Sequence, residues 1–239
     1  MNIALIGYGK MGHAIERIAV ERGHTIVLKI SSGNRSDLTP EHLRAADVAI
    51  EFTSPEAAPA NVQLCLEAGL PVICGTTGWN EQLDAMKELA TSKGVGFLQA
   101  SNFSVGVNIF FEINKQLAKL MARQPDYKVS VEEVHHLQKK DKPSGTAITL
   151  AEQIIDQAGR FSTWELSGNP PAPDTIAIDA LRVDGVPGTH TISWQSAIDT
   201  IDIRHTAHNR DGFALGAVLA AEFIRKKTGV YTMRDVLAI

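Results

Sequence analysis

One motif near the amino terminus restricts the fold class more than any other part of the sequence. It is the complete G-x-G-x-x-G run Gly7-Tyr8-Gly9-Lys10-Met11-Gly12, and it lies between a short apolar stretch, 2–6, and a helical pattern, 11–22. In such a turn the first glycine permits the bend, the second lets a pyrophosphate approach the backbone, and the third allows close helix–strand packing. Free N–H groups at the start of the helix attract the phosphates. The motif predicts a dinucleotide site; a glycine-rich turn that binds something else is the alternative.

Strand and helix patterns alternate up to about residue 104. Strands are predicted at 2–6, 25–30, 47–52, 71–74 and 95–99, and helices at 11–22, 56–68 and 80–93. Strands that alternate with helices of this length form parallel βαβ units. We therefore expect residues 1–104 to form an α/β, Rossmann-like domain with a doubly wound parallel sheet that binds the dinucleotide.

The second half predicts an α+β domain with a mainly antiparallel sheet, 105–210, for substrate binding and oligomerisation. Helices are expected at 107–123 and 148–158, and strands at 127–135, 176–183, 189–196 and 199–206. Asp184-Gly185 and Pro187-Gly188 supply turn chemistry between antiparallel strands, and the proline-rich run 169–173 predicts a loop. A last helix, 213–227, lies in the segment 211–239, which we expect to return to the first domain.

Composition excludes several classes of protein. Of the 239 residues 21% are charged and 44% hydrophobic, as in ordinary globular proteins, and the net charge is -4 without a basic stripe, which argues against a nucleic-acid partner. The sequence has no apolar run long enough to span a bilayer and no signal-peptide pattern, so we expect no membrane partner and a cytoplasmic location. Two cysteines, Cys65 and Cys74, are too few for a disulfide scaffold.

The loop after the second strand favours NADPH over NADH. That strand ends at Ile30, and no carboxylate follows before Asp37, although an acid here normally holds the ribose 2′-hydroxyl of NADH. The residues that suit a 2′-phosphate better are Ser31, Ser32, Arg35 and Lys10. If Arg35 is only a solvated loop residue, NADH stays possible.

Small polar loops follow the other parallel strands, at the edge where ligands bind in open α/β sheets. The candidates for contacts near the nicotinamide are Gly75, Thr76, Thr77, Ala100, Ser101, Asn102 and Phe103. Each loop taken alone also fits ordinary turn chemistry.

A cationic segment, 133–147, carries the chemistry of the second half. A strand ends in His135 and His136, three lysines follow in a loop, and Pro-Ser-Gly-Thr opens a helix that Ser144 or Thr146 can cap. Lysines beside free helix N–H groups form a receptor for carboxylates or phosphates. The alternatives are structural histidines at a strand end and a solvated run of lysines.

Metal binding and nucleophilic catalysis have little support in the sequence. Neighbouring residues of a strand point to opposite faces, so His135 and His136 are poorly placed to chelate one ion. The sequence has no His-Glu-x-x-His motif, no clustered cysteines and no G-x-S-x-G motif. We therefore expect no metal.

The segment His-His-x-x-Lys-x-Asp-x-Pro-Ser-Gly-Thr-Ala, 135–147, resembles the signature of the 4-hydroxy-tetrahydrodipicolinate reductase (dihydrodipicolinate reductase) family. The resemblance covers essentially the whole chain, and its other parts are 7–12, 75–78, 101–104 and the late His205-x-Ala-x-x-Arg210. It implies an NAD(P)H-dependent oxidoreductase that reduces 4-hydroxy-tetrahydrodipicolinate, a small cyclic dicarboxylate, to tetrahydrodipicolinate in the diaminopimelate route to lysine.

The resemblance also implies residue roles. By position His135 matches the acid–base histidine and Lys139 the proton-donating lysine, while the substrate contacts fall on His136, Ser144, Gly145 and Thr146. The sequence departs from the family at Leu137 and Gln138, where many members carry basic residues, and after its second strand, where the acid is missing.

The sequence alone leaves the oligomeric state and two other functional classes open. The family resemblance implies a homotetramer, and a sheet face on which Ile176, Ile178, Ile192 and Trp194 alternate is of a kind that often pairs across subunits. Two other functions are left open, another two-domain NAD(P)-dependent dehydrogenase and a non-catalytic NAD(P)-sensing protein.

Overall fold

The computed structural model describes residues 1–168 and 172–239, so part of the predicted proline-rich loop, 169–171, lies outside the described residues. The described chain divides into two compact units. The first consists of Met1–Val105 with Arg210–Ile239, and the second of Gly106–Asn209. The chain thus leaves the first unit once and returns to it at its carboxyl end.

The secondary structure of both units follows from amino to carboxyl terminus. The elements are β1 (Asn2–Ile6), α1 (Lys10–Glu21), β2 (Thr25–Ile30), α2 (Pro40–Leu43), β3 (Val48–Glu51), α3 (Ala58–Glu67), β4 (Val72–Cys74), α4 (Asn80–Lys93), β5 (Gly96–Gln99), α5 (Val105–Met121), β6 (Lys128–His135), α6 (Gly145–Ala158), β7 (Thr163–Leu166), β8 (Thr175–Arg182), β9 (Gly188–Gln195), β10 (Thr200–Ala207), α7 (Asp211–Ile224), β11 (Gly229–Tyr231) and α8 (Met233–Leu237). A short 3₁₀ turn, Arg35–Asp37, follows β2.

The first unit is built on a parallel sheet whose described strands lie in the order β11-β5-β4-β3-β1-β2. The inner strands β1, β3, β4 and β5 are buried on both faces, which explains why they are nearly continuous apolar runs. Ile3 and Leu5 of β1 pack on one face with α1 and α7, whereas Ala4 and Ile6 pack on the other face with α3 and α4. The predicted doubly wound parallel sheet is confirmed.

Three short elements of the first unit were not predicted: α2, β11 and α8. They have four, three and five residues, too few for a periodic pattern to emerge. The last long helix ends at Ile224, and Gly229, at a φ of 101°, opens the strand β11 that pairs with β5.

The second unit contains a mixed sheet in the order β10-β9-β6-β8-β7 along the described chain. The pairs β10–β9 and β9–β6 are antiparallel, and the pairs β6–β8 and β8–β7 are parallel. The expectation that the turn residues after β8 join it to an antiparallel neighbour is wrong, because β6 lies between β8 and β9. Turn residues favour a chain reversal, but they do not determine which strand becomes the neighbour.

The apolar face of this sheet is core. Ile176, Ile178, Ile192 and Trp194 have no exposed surface, because α5 and α6 cover them with residues such as Phe110 and Leu150. Their alternation therefore indicates the face that the helices cover, and interpreting it as a face that pairs between subunits is wrong. The opposite face carries small and polar side chains, such as the cross-strand row Asp202, Ser193, Ser130 and Ala177. No helix within 1–168 and 172–239 has the length and apolar character needed to cross a membrane.

Candidate active site

The glycine motif forms the turn between β1 and α1, and packing dictates two of its glycines. Gly7 has a φ of 102°, and a Cβ there would lie 1.8 Å from the carbonyl oxygen of Phe52. A Cβ on Gly12 would lie 2.5 Å from the carbonyl oxygen of Gly7, so a side chain would separate the helix from the turn. Around Gly9, by contrast, an added Cβ would meet nothing within 4 Å. The fold therefore does not require Gly9, and its Cβ side is open to a ligand.

The amino terminus of α1 offers unpaired N–H groups. Gly9 is the N-cap and provides no side-chain cap, and among the described residues we find no acceptor for the N–H groups of Lys10, Met11 and Gly12. Unpaired N–H groups at a helix N-terminus, with the positive end of the helix dipole, bind phosphate well. The turn therefore fits the pyrophosphate of a dinucleotide.

A cleft of 430 Å³ opens beside this turn, within the first unit. Its lining residues are Gly7, Gly9, Lys10, Met11, Gly12, Phe52, Thr53, Pro55, Gly75, Thr76 and Thr77. The structure thus brings together the glycine motif and the loop after β4 with the loop after β3, which the sequence places among the polar loops at the same sheet edge.

Other predicted coenzyme residues lie outside the lining of this cleft. Phe103 is 2% exposed, and its side chain belongs to the core beside Phe52, at a ring distance of 5.6 Å. Ser101 is exposed, and Asn102 accepts a hydrogen bond from the N–H of Ser104 at 2.9 Å. Ala100 is partly buried. Phe103 can therefore contact a coenzyme only through its backbone.

The loop after β2 is organised by Asn34, which the sequence reasoning missed. The N–H and the hydroxyl of Ser31 both donate to its Oδ1, at 2.8 and 2.9 Å, and its Nδ2 donates to the carbonyl of Lys29. Ser32 and Arg35 are exposed, and Arg35 has no ion-pair partner in the part of the chain that the structure describes. The run Ser-Ser-Gly-Asn is typical of a turn in which an asparagine side chain binds the backbone of its own loop, and this run was the sequence signal for Asn34.

Tyr8 differs from its neighbours in the motif because its side chain is engaged in a hydrogen bond within the first unit and does not line the cleft. Its hydroxyl donates to the carboxylate of Glu16, which also pairs with Lys29 at 2.6 Å. This hydrogen bond raises the pKa of Tyr8.

In the second unit, the amino terminus of α6 is the counterpart of the phosphate turn. The helix begins at Gly145, earlier than predicted, and the hydroxyl of Ser144 caps it by accepting from the N–H of Ala147 at 3.2 Å. The N–H groups of Gly145 and Thr146 have no described acceptor, and a Cβ on Gly145 would meet nothing within 4 Å. This terminus suits a carboxylate.

Behind α6 lies Glu133, a carboxylate with no exposed surface. It accepts from the N–H of Ser144 at 3.0 and 3.1 Å and from Nη2 of Arg182 at 3.1 Å. Its Oε2 is 3.4 Å from Nδ1 of His135 and 3.7 Å from Nε2 of His190. Burial by itself raises the pKa of Glu133, but these histidines and Ser144 outweigh burial and hold the pKa well below its ordinary value, so Glu133 is ionised.

Two histidines meet edge to face at this carboxylate. The rings of His135 and His190 are 5.0 Å apart, and Nε2 of His190 lies 3.2 Å from Oγ of Ser144. Burial lowers the pKa of His190, which keeps this ring neutral at neutral pH. The Nδ1 atoms of His135 and His136 are buried and have no hydrogen-bond partner among the described residues. The ring of His135 is thus held by packing and by the nearby charge of Glu133.

Lys139 lies in a loop that Arg182 ties down. Nζ of Lys139 donates to Asp141 at 2.9 Å and is partly exposed. Arg182 donates from Nε to the carbonyl of Lys139 at 3.3 Å and from Nη2 to the carbonyl of Asp141 at 2.6 Å. The same guanidinium therefore connects Glu133 to the lysine loop.

The sequence reasoning missed Arg182 and His190, and it gave Glu133 no role. Arg182 ends β8 and His190 lies in β9, far along the chain from the cationic segment, and neither stands in a recognisable motif. No local signal was available for them.

Glu133, His135 and His190 also form a group that could hold a metal ion, since their ligand atoms lie within 4.8 Å of one another. In the sequence only His135 and His136 stand together as candidate ligands, because His190 lies far along the chain in β9. Because Glu133 already accepts from Arg182 and Ser144, we interpret the group as a device that orients His135.

Comparison with known proteins establishes the family. A model described as "Dihydrodipicolinate reductase, N-terminus" matches residues 1–103, and one described as "Dihydrodipicolinate reductase, C-terminus" matches residues 106–237. The chain belongs to the dihydrodipicolinate reductase family. The family predicted from the sequence is therefore confirmed, and this reductase is an NAD(P)H-dependent oxidoreductase.

Curated relatives of the reductase carry the same name. A 4-hydroxy-tetrahydrodipicolinate reductase of Christiangramia forsetii is 49% identical over 239 residues, 100% of this chain and 98% of the relative. One of Methanosarcina barkeri is 40% identical over 198 residues, which cover 81% of this chain and 74% of the relative.

Solved structures show the same fold. A dipicolinate-bound dihydrodipicolinate reductase from Paenisporosarcina sp. TG-14 has a TM-score of 0.77 at 24% identity, with 97% of each chain covered. A probable dehydrogenase from Thermotoga maritima has a TM-score of 0.60 at 11% identity, over 99% of this chain and 92% of that one. The fold of the reductase is thus shared with other dehydrogenases.

Proposed function

We propose that this reductase converts 4-hydroxy-tetrahydrodipicolinate to tetrahydrodipicolinate in the diaminopimelate route to lysine. The observation that carries the proposal is the arrangement at α6, where Lys139, His135 and unpaired helix N–H groups belong to one segment that Glu133 and Arg182 hold in place. The 49% identity over the whole chain to a relative of that name supports it.

The substrate is a cyclic dicarboxylate, which this segment suits. The N–H groups of Gly145 and Thr146 can accept one carboxylate, and the capping residue Ser144 fixes the start of the helix that presents them. His136 and the ammonium of Lys139, in the segment between β6 and this helix, are further candidate donors to the substrate. The dipicolinate in the similar structure from Paenisporosarcina supports the choice of ligand class.

The coenzyme residues of the first unit fit the pyrophosphate, as the unpaired N–H groups of α1 and the open space at Gly9 indicate. A bound reduced nicotinamide supplies the hydride that the reaction consumes. The loops after β3 and β4, including Thr76 and Thr77, would hold that end of the coenzyme, and Ala100 to Phe103 are further candidates through their backbone.

Proton transfer falls to Lys139 and His135. The net reaction consumes a hydride and a proton and releases the 4-hydroxyl as water. Hydride addition makes the nitrogen side of the conjugated imine electron-rich, so a nearby acid lowers the barrier, typically by about 10²–10⁴-fold in rate. We assign the donor role to Nζ of Lys139, with His135 supplying or relaying a proton, and Glu133 positions His135.

For the coenzyme we propose a preference for NADPH. No carboxylate lies between Ile30 and Asp37, and Arg35 is exposed with no described ion-pair partner, which leaves it available to a 2′-phosphate. We expect kcat/KM to be higher with NADPH than with NADH, and Arg35→Ala to lower it for NADPH alone. A clear preference of the wild type for NADH would refute this choice.

The decisive assay follows the absorbance of NADPH. We expect oxidation with 4-hydroxy-tetrahydrodipicolinate and none with amino acids or sugars, which separates this reductase from other dehydrogenases of the same fold. Binding of NADPH without turnover of any of these compounds would instead favour a sensing protein. The proposed homotetramer is tested by the mass in solution, and the proposed cytoplasmic location by cell fractionation.

A further inference from the structure

The strand order indicates which end of a dinucleotide lies over which strands. The phosphate turn follows β1, which has β2 on one side and β3, then β4, on the other. In folds of this type the adenosine ribose lies at the end of the strand that corresponds to β2. The nicotinamide half is therefore directed to the ends of β3 and β4, where Thr53 and Thr76 line the cleft.

A buried carboxylate lies directly beneath these two threonines. Glu51, the last residue of β3, has no exposed surface. The hydroxyl of Thr53 donates to its Oε1, and the hydroxyl of Thr76 donates to its Oε2 at 2.7 Å. The amide of Asn61 donates at 3.3 Å, and the thiol of Cys74 donates at 3.0 Å.

Every one of these contacts brings a hydrogen-bond donor to the carboxylate, as an ionised group requires. The hydroxyl of Thr76 also accepts from the N–H of Thr53 at 2.8 Å, so its own hydrogen is left for Glu51. Within residues 1–168 and 172–239 no lysine, arginine or histidine forms an ion pair with Glu51. The negative charge of Glu51 is therefore stabilised by hydrogen-bond donors alone, and no positively charged side chain of the described residues pairs with it.

We propose that Glu51 is a positioning residue whose buried charge, under Thr53 and Thr76, favours the positively charged oxidised nicotinamide over the neutral reduced one. The inference rests on the proposed function, because it needs a nicotinamide coenzyme in the cleft. Thr53 and Thr76 separate the carboxylate from the ligand, so Glu51 acts on the ring through its field. By stabilising the product form of the coenzyme, the charge makes hydride donation more favourable.

The test compares the affinities of the free protein for both forms of the coenzyme, with no substrate present. The dissociation constants of NADP⁺ and NADPH are measured by titration calorimetry for the wild type and for Glu51→Gln. Two unit charges about 10 Å apart at an effective dielectric constant of about 20 change a binding constant by roughly tenfold. We expect the ratio Kd(NADP⁺)/Kd(NADPH) to rise by roughly this factor in the variant.

A second pair of variants separates charge from shape and guards against misfolding of Glu51→Gln. Glu51→Asp keeps the charge on a shorter side chain, so its ratio should stay near that of the wild type even if both affinities fall. Glu51→Asn removes the charge at the same size as aspartate, and its ratio should rise as in the glutamine variant.

Two results would overturn the inference: equal weakening of both coenzyme forms in the uncharged variants, and an Asp variant whose ratio shifts as much as that of Gln or Asn. Either result would mean that Glu51 only connects the loops after β3 and β4 and does not act on the coenzyme. A wild type that binds neither coenzyme form would refute the proposed function as well, whereas normal turnover with an unchanged ratio would refute this inference alone.

Discussion

The amino termini of α1 and α6 offer the same chemistry to a ligand, but they are built differently. At α1 the unpaired N–H groups stand on a glycine turn with no side-chain cap, and the backbone alone shapes the site. At α6 a serine caps the helix, and its backbone rests on a buried carboxylate that also meets Arg182 and two histidines.

The difference reflects the two tasks. A site that only grips a diphosphate needs close approach and free donors, which glycines and a helix terminus provide. A site that must also move a proton needs charged groups in fixed positions, and these must be held by further contacts. The backbone site should therefore tolerate changes of charge and not of size, while the α6 site should do the reverse.

The largest effect is expected at Lys139. We expect Lys139→Ala to lower kcat by about 10²–10⁴-fold, because the proton donor is lost, with little change in the dissociation constant of NADPH. Steady-state kinetics and a coenzyme titration measure the two quantities. Lys128→Ala, which removes an exposed lysine at the start of β6, is the matched control and should keep full activity. A normal kcat in Lys139→Ala would remove the proton-transfer role from this loop.

Glu133→Gln should be the most destabilising charge change in the second unit. It leaves the guanidinium of Arg182 without its buried partner, so we expect the free energy of unfolding to fall by about 3 kcal/mol. Urea unfolding measures it, with the exposed neighbour Glu132→Gln as control.

The pH dependence of stability gives a second measurement on Glu133. Its pKa in the folded protein lies below the ordinary 4.5, so its charge contributes stability above about pH 4.5, and the contribution is lost as the pH falls further. Glu133→Gln should therefore lose less stability than the wild type when the pH is lowered from 5. Parallel acid profiles would contradict this account.

Two glycine variants test the backbone site. Gly9→Ala should change the free energy of unfolding by less than about 1 kcal/mol, yet raise the Kd of NADPH about tenfold, because its new methyl group fills open space beside the phosphates. Gly7→Ala should lose more than about 1 kcal/mol of stability, since its φ of 102° and the carbonyl of Phe52 exclude a side chain. Tight NADPH binding by a stable Gly9→Ala protein would show that the diphosphate lies elsewhere.

The smallest effect is expected for the helix cap. Ser144→Ala should cost about 1 kcal/mol and lower Tm by about 2–4 °C, and it should raise the KM of the dicarboxylate because the start of α6 is less fixed. Thr232→Ala removes the cap of α8 and should lower Tm without affecting that KM. If both variants behave alike in the kinetic assay, the terminus of α6 does not bind the substrate.

The backbone site is determined by residues next to one another in the chain, and the α6 site also by residues far apart. This difference decides how much of the molecule the sequence predicts. Strands β1 to β5 of the first unit were predictable because each is an apolar run between a glycine or polar loop and a helix, whereas the three-residue β11 was not. In the second unit β6, β8, β9 and β10 were predicted, and the short edge strand β7 was not. The order of these strands was not predicted either, because β6 comes between β8 and β9, and the pairing of strands depends on side chains far apart in the chain.

Site residues divide in the same way. The glycines of the phosphate turn stand together in a motif, and so do His135, Lys139 and Ser144. Arg182 and His190 come from other strands, and the buried Glu51 looks like the end of any apolar strand. Their roles exist only once the chain has folded, so no local pattern could reveal them.

The path of the chain through the first unit has a consequence for how the protein is made. Helix α7 supplies Ala217, Val218 and Ile224 to the core on one face of the parallel sheet, and β11 adds a strand at its edge. A ribosome therefore releases the whole of Gly106–Asn209, a continuous unit, before the first unit has all of its parts. Until then α1 alone covers that face of the sheet, and premature termination shortly before residue 211 would leave a chain whose first unit stays incomplete although Gly106–Asn209 is present in full.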